Sequence, residues 1–144
     1  MGEVLTEISA TWKGENAFVG QNAAGGTVQM GTLDGQSGVG PMQLLLVALA
    51  GCTGMDLLSI LQKKRADLKE LQVRVSGKRA DDYPMIWTHI QITYLLWGNS
   101  IKPKDVEQAI ELSEKKYCSV GIMLGESARI TSEYRILEPG ENIN

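Results

Sequence analysis

The stretch GPMQLLLVALAGCTGMD, Gly40 to Asp56, decides how this chain folds: it is a proline-opened, almost wholly apolar segment built around a cysteine. Gly40 followed by Pro41 marks a helix start, because proline at the first helical position gives up no useful donor and has its φ already set. The pattern predicts one helix from Pro41 to Arg65, with Lys63, Lys64 and Arg65 matching the negative C-terminal end of the helix dipole. Its longest apolar run, Leu44 to Cys52, is shorter than the ~20 residues of a membrane span. It therefore reads as a core helix, whose first half must be enclosed by sheet or by another subunit.

The helix also says where its thiol points. At about 100° per residue, Asp56, Ser59 and Lys63 fall within about 40° of Cys52, while Leu57, Leu58 and Leu61 face the other way. Cys52 thus stands at the edge of the buried region, lining a cleft or an interface. Two readings stay open from this stretch alone. Free cysteine usually packs as a small hydrophobe, and a carboxylate one turn away opposes a thiolate unless a cation intervenes. Cys118, in EKKYC, follows an amphipathic segment and begins another apolar piece, so it can cap a helix N-terminus, where backbone N–H groups favour a thiolate. Taken alone, a cysteine there is more often packing than chemistry.

Outward from the helix the patterns alternate. Before it, Val4 to Lys13, Ala17 to Gln21 and Thr27 to Leu33 read as antiparallel strands with a hairpin at Gly25-Gly26, followed by a flexible link, DGQSGVG. After it, LQVRVSGKR puts Leu71, Val73 and Val75 on one face, and IWTHIQITYLLW puts Ile86, Ile90, Ile92 and Tyr94 in phase. The linking ADDYP is a loop. Pro103 opens a second helix with Val106, Ala109, Ile110, Ser113 and Tyr117 on one face; ARITSEYRI closes the fold as a strand, and EPGENIN frays. The expectation is a single α+β domain over residues 1–144.

Bulk properties narrow the function classes. With 144 residues, 43% hydrophobic and 22% charged, the chain has the composition of a globular domain with its own core. A net charge of -3 gives no footprint for nucleic acid or an anionic membrane. The N-terminal MGEVLTEI lacks the basic and apolar blocks of a secretory signal, which points to the cytoplasm. In that reducing setting the two cysteines are inert packing or working thiols rather than a structural bridge. One histidine and no Cys-x-x-Cys pair leave no basis for a metal site.

Three blocks carry a resemblance: GPMQLLLVALAGCTGMDLLSILQKKR, GKRADDYPMIWTHIQITYLLWG and AIELSEKKYCSVGIMLGESARITSEYRI, spanning about residues 30–136. Together they resemble the osmotically inducible protein C (OsmC) and organic hydroperoxide resistance superfamily, closest to its YhfA-like branch. The resemblance implies an OsmC-like α+β fold, an antiparallel sheet wrapped around a long central helix, in an intertwined homodimer with sites at the subunit interface. It implies that Cys52 attacks the peroxide and Cys118 resolves the product. The chemistry would be a thiol-dependent reduction of organic hydroperoxides through sulfenic acid and disulfide, reset by a thiol reductant and needing no cofactor. The alternative is a binding protein of the same fold that holds a small apolar or lipid-like ligand in the cleft.

The peroxidases of that superfamily pair a glutamate just after the helix-opening proline with an arginine from the N-terminal region. Here Met42-Gln43 follows Pro41, and the first arginine of the chain is Arg65. Arg79 is a substitute thiolate stabiliser if the Leu71-Val73-Val75 alternation runs on through Gly77; if the strand ends at Gly77, Arg79 is a solvated loop charge, the reading the glycine favours.

Overall fold

The computed structural model describes Gly2 and residues 4–143. The chain forms two compact units, one up to Leu45 and one from Leu46 on.

In the first unit β1 (Ile8–Gly14), β2 (Ala17–Asn22) and β3 (Thr27–Met30) make an antiparallel meander in the order β1-β2-β3. Gly25, at φ 95°, turns β2 into β3 where the glycine pair predicts a hairpin. The expected third strand does not run through to Leu33. It breaks at Gly31, φ 78°, and β4 (Thr32–Leu33) pairs instead with β5 (Gln36–Ser37). The segment read as a flexible link is therefore a second hairpin. Its two-residue loop, Asp34-Gly35, has φ values of 51° and 77°, the doubly left-handed turn that Asp-Gly favours.

Helix α1 (Pro41–Lys63) begins in the first unit and continues into the second. It ends two residues before the predicted Arg65, which takes the left-handed conformation at φ 59°. By length and hydropathy α1 would satisfy a membrane span. Its contacts are those of a core helix on one side only: Leu49, Thr53, Leu57 and Leu61 are buried, whereas Val47, Met55 and Leu58 are exposed. The enclosure expected for α1 is half present.

The second unit is built on a three-stranded sheet, β6 (Asp67–Arg79), β7 (Trp87–Asn99) and β8 (Arg129–Leu137), with β7 in the middle. β6 and β7 are antiparallel, but β8 runs parallel to β7, so the sheet is mixed and not antiparallel throughout. The reason lies in the connection. A crossover of this length, holding α2 (Pro103–Leu112), a π-helical turn (Ser113–Tyr117) and α3 (Ser119–Leu124), returns the chain to the starting end of β7, which a tight hairpin cannot do. The predicted alternation holds in the centre: Ile90, Ile92 and Tyr94 are buried with Leu96. Ile86 falls outside β7 and is exposed. On the opposite face Leu95, Trp97 and Leu137 form a second cluster. The C-terminal tail docks on it through Ile143 and a 2.6 Å hydrogen bond from Trp97 Nε1 to the Glu141 carbonyl, where fraying was expected.

Candidate active site

Cys52 and Cys118, distant in sequence, are brought together inside the second unit, their side chains in hydrogen-bond contact. Cys52 sits on α1 one residue before the buried Thr53 and is half-buried. Cys118 is fully buried at the N-cap of α3, its Sγ accepting from Gly121 N at 3.2 Å. The π-helical turn sets it there. After the regular hydrogen-bonding of α2, the wider turn ends with Cys118 N donating to Ser113 O at 2.7 Å, and the chain then restarts as α3. Gly121 lets the thiol lie close, since a side chain there would meet both Cys118 Sγ and Leu49 at 3.3 Å.

Electrostatics act on the buried thiol. Burial above all, then the hydrogen bond to Cys52, pushes the Cys118 thiol up to about 12, with the Asp56 carboxylate adding to the effect; the Gly121 amide opposes it only in part. The cap position that favours a thiolate is thus outweighed by desolvation, and Cys118 stays a thiol at neutral pH.

Two carboxylates bracket the pair. Asp56, one turn beyond Cys52, accepts from Ser113 Oγ at 2.9 Å. Glu114 accepts from the Tyr94 hydroxyl at 2.7 Å and from Ser132 Oγ at 3.2 Å. Burial first, and then this bond to Glu114, drives the Tyr94 phenol well above its ordinary value. Tyr94, Glu114 and Ser113 are the site residues that pattern reading misses. The available signal was the inward phase of Tyr94 beside Ile90 and Ile92, because a buried phenol needs a polar partner.

One concavity reaches Cys118, and a second opens at Asp56, one turn beyond Cys52. A cavity of about 480 Å³ reaches Cys118 between Leu49 and Thr53 of α1, Ile92 and Ile130 of the sheet, and Ile122 of α3, with Glu114, Lys115 and Glu126 at its polar side. A second, about 540 Å³, runs along Asp56, Ser59, Lys63 and Lys64 to Leu112 and Tyr117. It is the polar continuation of the Cys52 stripe that helical spacing predicts.

Arg79 is placed elsewhere. β6 does continue to Arg79, past the glycine where the strand was expected to end, and its ladder with β7 slips between Lys78 and Arg79, where Thr88 is the extra residue on β7. The Arg79 Nε donates to the Met85 carbonyl at 2.7 Å, and its guanidinium lies 5.9 Å from the Trp87 ring centroid. Both contacts belong to the β6–β7 hairpin; the groups acting on Cys118 are Cys52, Gly121 and Asp56, without Arg79.

Comparison with known proteins matches residues 34–133 to the family described as OsmC-like protein. The chain is 34% identical over 126 residues to protein YhfA of Escherichia coli (strain K12), covering 88% of this chain and 94% of that protein. Among solved structures, a hypothetical protein from Aquifex aeolicus VF5 superposes with a TM-score of 0.83 at 32% identity, covering 94% of this chain and 98% of that one. The organic hydroperoxide resistance protein OhrB of Bacillus subtilis shares the fold at a TM-score of 0.61 and 15% identity, over 92% of this chain and 98% of its own.

Proposed function

The chain belongs to the OsmC-like protein family, in its YhfA-like branch, and on that premise we propose that it is a thiol-dependent peroxidase that reduces organic hydroperoxides through Cys52 and Cys118. The observation that carries the reading is the pairing of a half-buried thiol with a fully buried, protonated one beside a cavity that has an aliphatic wall and a charged one.

The steps follow from that asymmetry. The Cys52 thiolate attacks the terminal peroxide oxygen, the O–O bond breaks, and Cys52 becomes a sulfenic acid as the alkoxide leaves. The alkoxide needs a proton, and the Cys118 thiol faces the cavity with one to give. Having donated it, Cys118 is a thiolate in contact with the sulfenic acid; it attacks the Cys52 sulfur, forms the disulfide and releases hydroxide, which takes a proton to become water. A dithiol reductant restores both thiols. Proton donation thereby arms the second step, so the raised Cys118 serves the cycle that its protonated state would otherwise block. A cavity with Leu49, Ile92, Ile122 and Ile130 in its walls suits an organic hydroperoxide better than hydrogen peroxide.

The proposal includes one OsmC-like domain over residues 1–144, a homodimer, and a cytoplasmic site of action. The exposed Val47, Met55 and Leu58 of α1 support the dimer. Arg79 is left out of the chemistry by its hairpin contacts.

A second reading is favoured by the charges. The charged groups bracketing the thiols are the carboxylates Asp56 and Glu114, and among the described residues no cation is among the groups acting on Cys118. In that reading the protein binds a small apolar ligand and turns over little peroxide. Consumption of tert-butyl hydroperoxide with dithiothreitol, thioredoxin or dihydrolipoamide as reductant separates the two: turnover with any of them supports the peroxidase, and its absence with all three leaves the binding protein.

A further inference from the structure

We propose that the outer face of the β6–β7–β8 sheet carries a binding site for a phosphate oxyanion, as a phosphate monoester or free phosphate, formed by Lys78, His89 and Arg129. The sheet register makes the row: Lys78 lies opposite His89 across the antiparallel pair, and His89 opposite Arg129 across the parallel one. Residues opposite each other on neighbouring strands project to the same face, so three basic side chains from three strands meet on one line. They line a groove of about 360 Å³, and the next row, Ser76, Gln91 and Thr131, lines it too.

Nothing inside the described protein explains this row. Like charges directly opposite on a sheet repel, yet among the described residues neither the Lys78 ammonium nor the Arg129 guanidinium has an ion pair or side-chain hydrogen bond. The nearest carboxylate along that face of the ladder is Glu133, two rows on and already accepting from Thr93 Oγ1 at 3.2 Å. In a chain of net charge -3, the row is a local reversal of sign.

The hydrogen bonds around the groove leave donors turned outward. Thr88 Oγ1 gives its proton to the Lys78 carbonyl at 3.0 Å, so at 3.1 Å from His89 Nδ1 it must accept, which assigns the Nδ1–H tautomer. Nε2 is then the ring nitrogen left to a ligand, taking the hydroxyl of a monoprotonated phosphate or, once protonated, donating to a bare oxygen. The Thr131 hydroxyl donates to Gln91 Oε1, which leaves the Gln91 amide N–H groups as further donors. A guanidinium fork, an ammonium and an imidazole from three directions suit a tetrahedral polyanion better than a flat carboxylate. The groove is of the size of small-ligand sites, which begin at about 300 Å³, so it has room for a small organic group on the phosphate.

The test is an amide NMR titration of the full chain at fixed ionic strength, with inorganic phosphate, glycerol 3-phosphate, glycerol and sodium chloride as separate arms. The expected result is saturable shifts confined to residues around Lys78, His89 and Arg129 with either phosphate, and none with glycerol or chloride. Tighter binding of glycerol 3-phosphate assigns a monoester as ligand, and equal or tighter binding of inorganic phosphate assigns the free ion. Arg129→Gln and Lys78→Gln, at exposed positions that leave the rest of the spectrum in place, should each weaken binding about tenfold or more, the size expected for a lost charged hydrogen bond, while Lys78→Arg retains it. Shifts that do not saturate, that chloride reproduces, or that both glutamine variants keep at wild-type strength overturn the proposal. None of these outcomes depends on Cys52 or Cys118.

Discussion

At the residue scale, Cys52 is reachable from solvent and Cys118 is not, and the order of events follows from that difference. Cys52→Ser should abolish peroxide turnover. Cys118→Ala should do more than strand a sulfenic acid. If the buried thiol protonates the alkoxide, the first oxidation of Cys52 slows by about a hundredfold, the lower range of general-acid effects, and Cys118→Ser recovers part of that rate. Stopped-flow oxidation of Cys52 at wild-type speed in Cys118→Ala would reduce Cys118 to a resolving role. Its raised pKa also has a consequence for stability. The unfolded thiol ionises near its ordinary 9.0 and the folded one near 12, so from pH 9 to 12 the folded state holds a proton that the unfolded state has lost. Stability is then fully present below pH 9 and falls as pH rises through that window; Cys118→Ala should flatten this alkaline limb in urea melts at stepped pH, leaving the slopes of the raised Tyr94 and Tyr134 phenols. Both cysteines and the polar stripe behind Cys52 were legible in the sequence, because helical spacing fixes them locally. Tyr94, Glu114 and Ser113 were not, because their meeting depends on how the π-helical turn and β7 pack in three dimensions. β6 ran on past Gly77 to Arg79, against the reading the glycine favoured, because a glycine weakens a strand without ending it.

At the scale of elements, glycine and proline punctuation located most boundaries: Pro41 and Pro103 each open a helix and Gly25 turns the first hairpin. The break between β3 and β4 was missed because alternation alone runs on through Gly31. That glycine is held at φ 78°, and a side chain on it would collide with the Asn16 carbonyl, while the Asn16 side chain already accepts from Thr32 N at 2.9 Å. Gly31→Ala should therefore destabilise the first unit by about 1–3 kcal/mol, the usual cost of a strained left-handed residue. Protection of the β1–β3 amides in hydrogen exchange measures it, and an unchanged pattern would show that the turn relaxes freely. The parallel return of β8 was equally out of reach of periodicity, which reports a strand's faces and not its direction.

At the scale of the whole molecule, the apolar surface left uncovered sets the expected assembly. Val47, Met55 and Leu58 lie on one side of α1 at 53%, 73% and 42% exposure, and in the first unit Ile8 and Trp12 are exposed at 65% and 63%. Monomers seldom leave such surfaces open to water. The chain should sediment as a homodimer at micromolar concentration, and Met55→Glu with Leu58→Glu should shift it to monomer or unfold it; a folded wild-type monomer would contradict the assembly. The family and its α+β fold could be read from the sequence because three blocks around the two cysteines sit in the right order, but the oxidation chemistry rests on the thiol pair itself. Its most direct test is intact mass and peptide mapping after one equivalent of tert-butyl hydroperoxide is added to the reduced wild-type protein. The account predicts loss of two hydrogens per chain and a single cross-linked peptide joining Cys52 to Cys118; both cysteines still free to alkylate after excess hydroperoxide would contradict it.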